Sequence, residues 1–100
     1  MILEIANLIV QPSQQPAYEA AFKQAVPLIA NSHGYIRHEL HRCVETPGRY
    51  MLFVWWQTLE DHTKGFRGSA AYQEWRTLLH RFYSPGFVVE HYNLVNASPE

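Results

Sequence analysis

Cysteine is nearly absent from this chain of 100 residues: Cys43 stands alone. One thiol excludes an internal disulfide and a multi-thiolate metal site, and it fits a reducing compartment, so a cytoplasmic location is expected. An excess of either charge is missing too. Eight Lys and Arg against nine Asp and Glu leave a formal net charge of −1, with no basic cluster to answer a phosphate backbone, so nucleic-acid binding is not expected. The longest strongly apolar run, residues 50–56 (YMLFVWW), is far short of a membrane span. The opening MILEIANLIV has neither a basic leader nor a small-residue cleavage site, and no signal peptide is expected. Repeats, low-complexity stretches and linkers are also lacking. What remains is a composition with 47% hydrophobic and 17% charged residues, which suits a folded domain with its own core. One domain is expected over residues 1–95, with 96–100 (NASPE) as a frayed tail.

Residues 2–10 (ILEIANLIV) are aliphatic and β-branched and stop at Gln11-Pro12, which predicts a strand. Pro16 suits the first turn of a helix, and Tyr18, Phe22, Ala25, Val26 and Ile29 recur at helical spacing to about Asn31. Gly34 is the stop, and Pro27 is expected to bend this helix or loosen its last turn. Residues 35–43 alternate imperfectly as a half-exposed strand; Glu45-Thr46-Pro47-Gly48 is a turn, and 49–57 (RYMLFVWWQ) is the strongest strand. Thr58 and Asp61 have capping-box spacing and open a short helix to about Phe66, with a break near Gly68. Ser69 caps a second segment with an apolar stripe of Tyr72, Trp75, Leu79 and Phe82. Ser84-Pro85-Gly86 ends it, and 87–95 (FVVEHYNLV) is the last strand. The order βαββαβ is the ferredoxin-like plan of an α+β domain, an antiparallel four-stranded sheet with both helical segments on one face.

Both parities of residues 50–56 are apolar: Tyr50, Leu52, Val54 and Trp56 on one side, Met51, Phe53 and Trp55 on the other. A strand apolar on both faces is buried on both, yet the helices cover only one. A second copy of the chain, sheet against sheet, is the simplest lid, and a homodimer is expected.

Six histidines (His33, His38, His41, His62, His80 and His91) are the titratable residues that stand out. His38 and His41 are three apart on a strand and point to opposite faces, so no metal site is expected. No G-x-S-x-G nucleophile motif occurs, Gly65-x-x-Gly68 is too short for a phosphate loop, and Cys43 reads as a packing residue. These exclusions leave an aromatic-walled cavity between helices and sheet as the place for function. Trp56 closes the third strand on the same side as Leu52 and Val54, either as a plain core tryptophan or as a wall of that cavity. His62 lies six residues on, close enough to reach the cavity, and Arg76 stands beside Trp75 as a cavity cation or an exposed salt-bridging residue.

The runs Trp56-Gln-Thr-Leu-Glu-Asp-His62, Gly65-Phe66-Arg67-Gly68-Ser69 and Tyr72-Gln-Glu-Trp75 resemble the antibiotic biosynthesis monooxygenase domain family. So does Gly34-Tyr35 ahead of Glu39-Leu40-x-Arg42-Cys43-x-Glu45-x-Pro47-Gly48-Arg49-Tyr50, and the likeness spans about residues 2–95. It implies a dimeric α+β barrel. The family's founding activity is oxidation of aromatic polyketides to quinones by dioxygen without metal, flavin or heme. Its strand tryptophan falls on Trp56, its helical arginine on Arg76, its tyrosine on His62 and its asparagine on Leu52. The resemblance thus implies no cofactor, His62 as base, Arg76 as cation, and Trp56 with Phe66 and Tyr72 lining a dry cage for a small aromatic ligand. A heme-degrading branch places an asparagine at Asn7 and its helical tryptophan at Phe66, with His80 one turn beyond the ligand position near Arg76. Asn7 faces the cavity or the dimer seam, as a substrate contact or a structural amide. The expected function is therefore cofactor-independent monooxygenation of a hydroxylated aromatic or quinol. A non-catalytic ligand-binding dimer is the alternative, and heme degradation is the third reading.

Overall fold

The computed structural model describes residues 1–99. Strand β1 (Ile2–Ile9) leads through a single 3₁₀ turn (Pro12–Gln14) into helix α1 (Gln15–Ala30), followed by β2 (Tyr35–Arg42) and β3 (Arg49–Trp56). A π-helical turn (Asp61–Phe66), helix α2 (Ala70–Leu79), a 3₁₀ turn (His80–Phe82) and β4 (Val88–Tyr92) complete the chain. The strands form one antiparallel sheet in the order β2-β3-β1-β4, the ferredoxin-like arrangement.

Local chemistry accounts for the joints. Thr58 and Asp61 cap reciprocally, Asp61 N–H donating to Thr58 Oγ1 at 3.1 Å and Thr58 N–H to Asp61 Oδ2 at 3.2 Å. Ser69 Oγ accepts from Tyr72 N–H at 3.1 Å and starts α2, a cap worth about 1 kcal/mol. The β2–β3 connection is a tight turn in which Arg49 N–H returns to Thr46 C=O, with Pro47 and Gly48 at the corners. Gly48 has φ +83°, as the second corner of a type II turn requires, and a methyl group there would run into the Val10 carbonyl.

Three details add to the expected elements. Helix α1 continues through Pro27 to Ala30: the proline sits on the exposed side in the last turn, where only one backbone bond is forfeited. The imperfect alternation of β2 has a cause, a register shift between Tyr35 and Arg37 that leaves Ile36 unpaired and exposed. Strand β4 stops at Tyr92 rather than residue 95, because Tyr92 already pairs with Leu3 and β1 has almost no chain left to pair with.

The sheet's inner face carries Ala6 and Leu8 of β1 and Tyr50, Leu52, Val54 and Trp56 of β3. Against it pack Tyr18, Phe22, Ala25 and Ile29 of α1 with Trp75 and Leu79 of α2. The helices meet where the Phe22 and Trp75 rings lie edge to face at 5.7 Å. The outer face presents Leu3, Ile5, Met51, Phe53 and Trp55, half-buried by one another and by Arg37 and His41 of β2, and among the described residues no helix covers it. Among the described residues no helix is long and apolar enough to cross a membrane.

Candidate active site

Strand alternation decides which side chains meet in the core. On β1 the inward parity is Glu4, Ala6, Leu8 and Val10, so an acidic residue enters an otherwise apolar layer and is 6% exposed. Register sets Glu4 opposite Val54 on β3 and His91 on β4, with Trp56 diagonal to it. The π-helical turn supplies the fourth group. Its wide i→i+5 closure, Arg67 N–H to His62 C=O at 3.0 Å, turns both His62 and Phe66 inward.

The result is a chain of contacts. Trp56 Nε1–H donates to Glu4 Oε1 at 3.0 Å, His62 Nε2 lies 3.4 Å from the same oxygen, and His62 Nδ1 is 2.8 Å from Nε2 of His91. The Trp56 and His62 rings stack at 5.3 Å. These three ionisable groups point at one another rather than at a common centre, and no group of three or more among the described residues is arranged to hold a metal ion.

Burial governs their protonation. Loss of solvent pushes the Glu4 carboxyl up to about 7, against the Trp56 N–H and the positive field of Arg67. Burial lowers His62 to about 3, helped by Arg67 and His91. His91 is lowered too, by burial first and then by Arg67. Burial thus favours the uncharged forms of Glu4 and His62, whose 3.4 Å approach is not a hydrogen bond.

Next to this cluster lies a cavity of about 70 Å³ between sheet and helices. Its walls include Leu52, Phe66, Tyr72, Trp75, Tyr83 and Phe87; Glu4, His62, His80 and the exposed Arg67 also line it. Leu8 and Phe87 also line a second groove of about 360 Å³, where β4 begins at Val88 and Ser84 N–H bonds to the Ile9 carbonyl of β1.

Of the residues singled out in the sequence, the structure brings together Trp56, His62, Leu52, Phe66 and Tyr72. Asn7 is exposed on the outer face, as alternation with Glu4, Ala6 and Leu8 requires, and lines the second groove. Arg76 is exposed on the flank of α2, outside the cavity wall, and reaches it only through its field on His80. Asn7 and His80 therefore lie on opposite faces of the sheet, so the residues on which the heme-degrading reading leans do not share a cavity. Sequence reasoning missed Glu4, Arg67 and the role of His91. An acid inside LEIANLIV was the available signal for Glu4, and Arg67 stood in plain view within GFRG.

Comparisons with known proteins agree with this architecture. The sequence profile described as antibiotic biosynthesis monooxygenase matches residues 1–78. The uncharacterised protein YczJ of Bacillus subtilis (strain 168) is 51% identical over 92 residues, covering 92% of this chain and 97% of that one. A Bordetella bronchiseptica structure, named a candidate antibiotic biosynthesis monooxygenase, superposes with a TM-score of 0.90 at 40% identity over 95% of this chain and 97% of that one. SnoaB, a cofactor-independent oxygenase from Streptomyces nogalater, shares the fold with a TM-score of 0.83 at 16% identity over 99% of this chain and 97% of its own.

Proposed function

The chain belongs to the antibiotic biosynthesis monooxygenase family, and from that premise we propose that it oxidises a small hydroxylated aromatic or quinol with dioxygen, using side chains alone. The observation that carries this reading is an aromatic-walled cavity lined by the buried Glu4 and His62, with the exposed Arg67 also among its lining residues. A phenol is a poor electron donor and its anion a good one. Deprotonated in the cavity, a phenol with a free para carbon passes one electron to dioxygen, and the carbon radical and superoxide then join in a new C–O bond. The peroxide anion takes up a proton. Loss of the para C–H proton with cleavage of the O–O bond gives the para-quinone and water. One oxygen atom ends in the quinone and the other in water, every borrowed proton is returned, and no external reductant is consumed.

In this scheme the buried cluster supplies the base, Arg67 opposes the negative charge on phenolate and peroxide, and Leu52, Phe66, Tyr72 and Trp75 exclude water. Trp56 holds the plane of His62 by stacking on it. A cavity of about 70 Å³ matches dioxygen rather than an aromatic ring, so the ring enters by displacing Phe87, the side chain shared with the second groove. Arg67→Ala is expected to lower kcat for oxygen uptake with anthrone about a hundredfold, and Arg76→Ala to leave it within about threefold. Loss in Arg76→Ala alone would return the cation's role to Arg76. Uptake absent from the parent chain, with an aromatic ligand still bound, would identify a non-catalytic binding dimer.

The same reading places the protein in the cytoplasm as a homodimer, with a second copy on the outer sheet face. Its support is the uncovered row of Leu3, Ile5, Met51, Phe53 and Trp55, flanked by the Arg37 guanidinium 4.0 Å over the Trp55 ring. Light scattering at micromolar concentration is expected to give twice the chain mass, and Phe53→Glu to give a monomer. A monomeric parent chain would contradict the pairing.

A further inference from the structure

Within the buried cluster, the carboxyl of Glu4 keeps one oxygen outside the cluster's own contacts. His62 is 3% exposed: Nδ1 is hydrogen-bonded to His91 Nε2 at 2.8 Å, Nε2 faces Glu4 Oε1 at 3.4 Å, and the ring has almost no surface left for a cavity occupant. Its ring face lies against Trp56. Glu4 directs both of its contacts through Oε1, to the Trp56 N–H and to His62, while its side chain lines the cavity. Oε2 takes part in neither contact.

We infer that Glu4, not His62, takes the hydroxyl proton of the bound phenol and returns it to the peroxide, and that His62, held between Glu4 and His91, is a positioning residue. This rests on the oxygenase reading above. The O–H bond of the phenol breaks, its electron pair stays on the phenolic oxygen, and the proton goes to Glu4 Oε2. The same proton then passes to the terminal peroxide oxygen. Glu4 next receives the para C–H proton as the O–O bond opens, and gives it to the departing hydroxide to make water. One carboxyl that cycles between two forms is enough, because the reaction releases no net proton.

The charged and titratable groups facing this carboxyl are His62 from the π-helical turn, Arg67 from the loop after it and His91 from β4, with the Trp56 N–H from β3; His80 and Tyr83 stand elsewhere in the cavity wall. Among them burial dominates and brings the carboxyl to about 7, where a proton is both accepted and released near neutral pH. His62, lowered to about 3, holds a proton too weakly to serve as the acceptor.

The test uses the whole chain with anthrone as substrate, which reacts as its enol anthranol, a phenol whose para carbon bears hydrogen; the variants are Glu4→Gln, which keeps an acceptor oxygen for the Trp56 N–H but carries no proton, and His62→Gln. An infrared pH titration of the parent is expected to show the carbonyl band of a protonated carboxylic acid fading through about pH 7, and Glu4→Gln to lack that band. In oxygen uptake, Glu4→Gln is expected to lose at least about a hundredfold in kcat with KM within about threefold. His62→Gln is expected to keep the band with a displaced midpoint and to lose about tenfold in kcat. A band that fades in the ordinary carboxylate range, or that persists in Glu4→Gln, overturns the proposal. So does normal turnover by Glu4→Gln beside a dead His62→Gln. Failure of the oxygenase reading looks different: the parent consumes no oxygen while the band still titrates, and the proton-carrying role falls with the reaction.

Discussion

Trp56→Ala is expected to destabilise the chain by about 3–5 kcal/mol, a large part of what a domain of this size has to lose. The indole is fully buried, at 0% exposed, and touches three aromatic neighbours: Tyr35 edge-on at 6.2 Å, His62 stacked at 5.3 Å and Phe66 at 5.9 Å. Its removal leaves a void and also strips Glu4 of its N–H donor. Trp56→Phe separates the two losses. It keeps most of the ring volume but no donor, and is expected to cost roughly 1–3 kcal/mol. Because the N–H favours the ionised carboxyl, Glu4 in Trp56→Phe is expected to titrate above its parent value of about 7. Urea unfolding reads the stabilities, with the midpoint moving and the slope unchanged. A loss below about 1 kcal/mol in Trp56→Ala would mean that the tryptophan is not the packing centre of the site.

Glu4→Gln is expected to be increasingly more stable than the parent as pH rises. Below about pH 4.5, the carboxyl's ordinary value, Glu4 is protonated in folded and unfolded chains alike and contributes no difference. From there to about 7 the unfolded chain has given up the proton while the folded chain still holds it, so stability falls as pH rises. Above about 7 the loss is complete, on the order of 3 kcal/mol at most. His62 has the opposite slope: between about 3 and its ordinary 6.5 the unfolded imidazole binds a proton that the folded one refuses, so stability rises with pH. In the parent the two slopes oppose each other over the shared range. Glu4→Gln removes one of them, and thermal melts across that range are expected to show its stability climbing with pH while the parent stays nearly level. A constant offset between the two proteins would show that the carboxyl titrates as an ordinary surface acid.

The sequence already contained most of the frame. The Thr58–Asp61 capping pair, the Ser69 cap and the two-sided apolar pattern of β3 are local signals, and each is found in the structure. The site was only half legible. Trp56 and Phe66 announce themselves as large aromatics, but both parities of β1 are rich in aliphatic residues, so nothing local told whether Glu4 or Asn7 faced the helices. That choice is made by pairing with β3, which sets Glu4 level with Val54. His91 reaches the cluster through the β1–β4 register, a contact across most of the chain that no short window can reveal. Arg67, exposed at the end of the π-helical turn, lines the cavity because the wider winding departs from the spacing an α-helix would give. Arg76, read as the helical cation, lies on the flank of a stripe whose buried members are Trp75 and Leu79.

The most direct measurement is oxygen uptake by the purified, metal-stripped chain against a panel of anthrones, catechols and hydroquinones, with isotopically labelled dioxygen. The account predicts catalysed uptake with an anthrone, one labelled atom in the quinone and the other in water, and its collapse in Glu4→Gln. No uptake above the uncatalysed rate, with ligands still quenching tryptophan fluorescence, would contradict it and leave a protein that binds an aromatic without oxidising it.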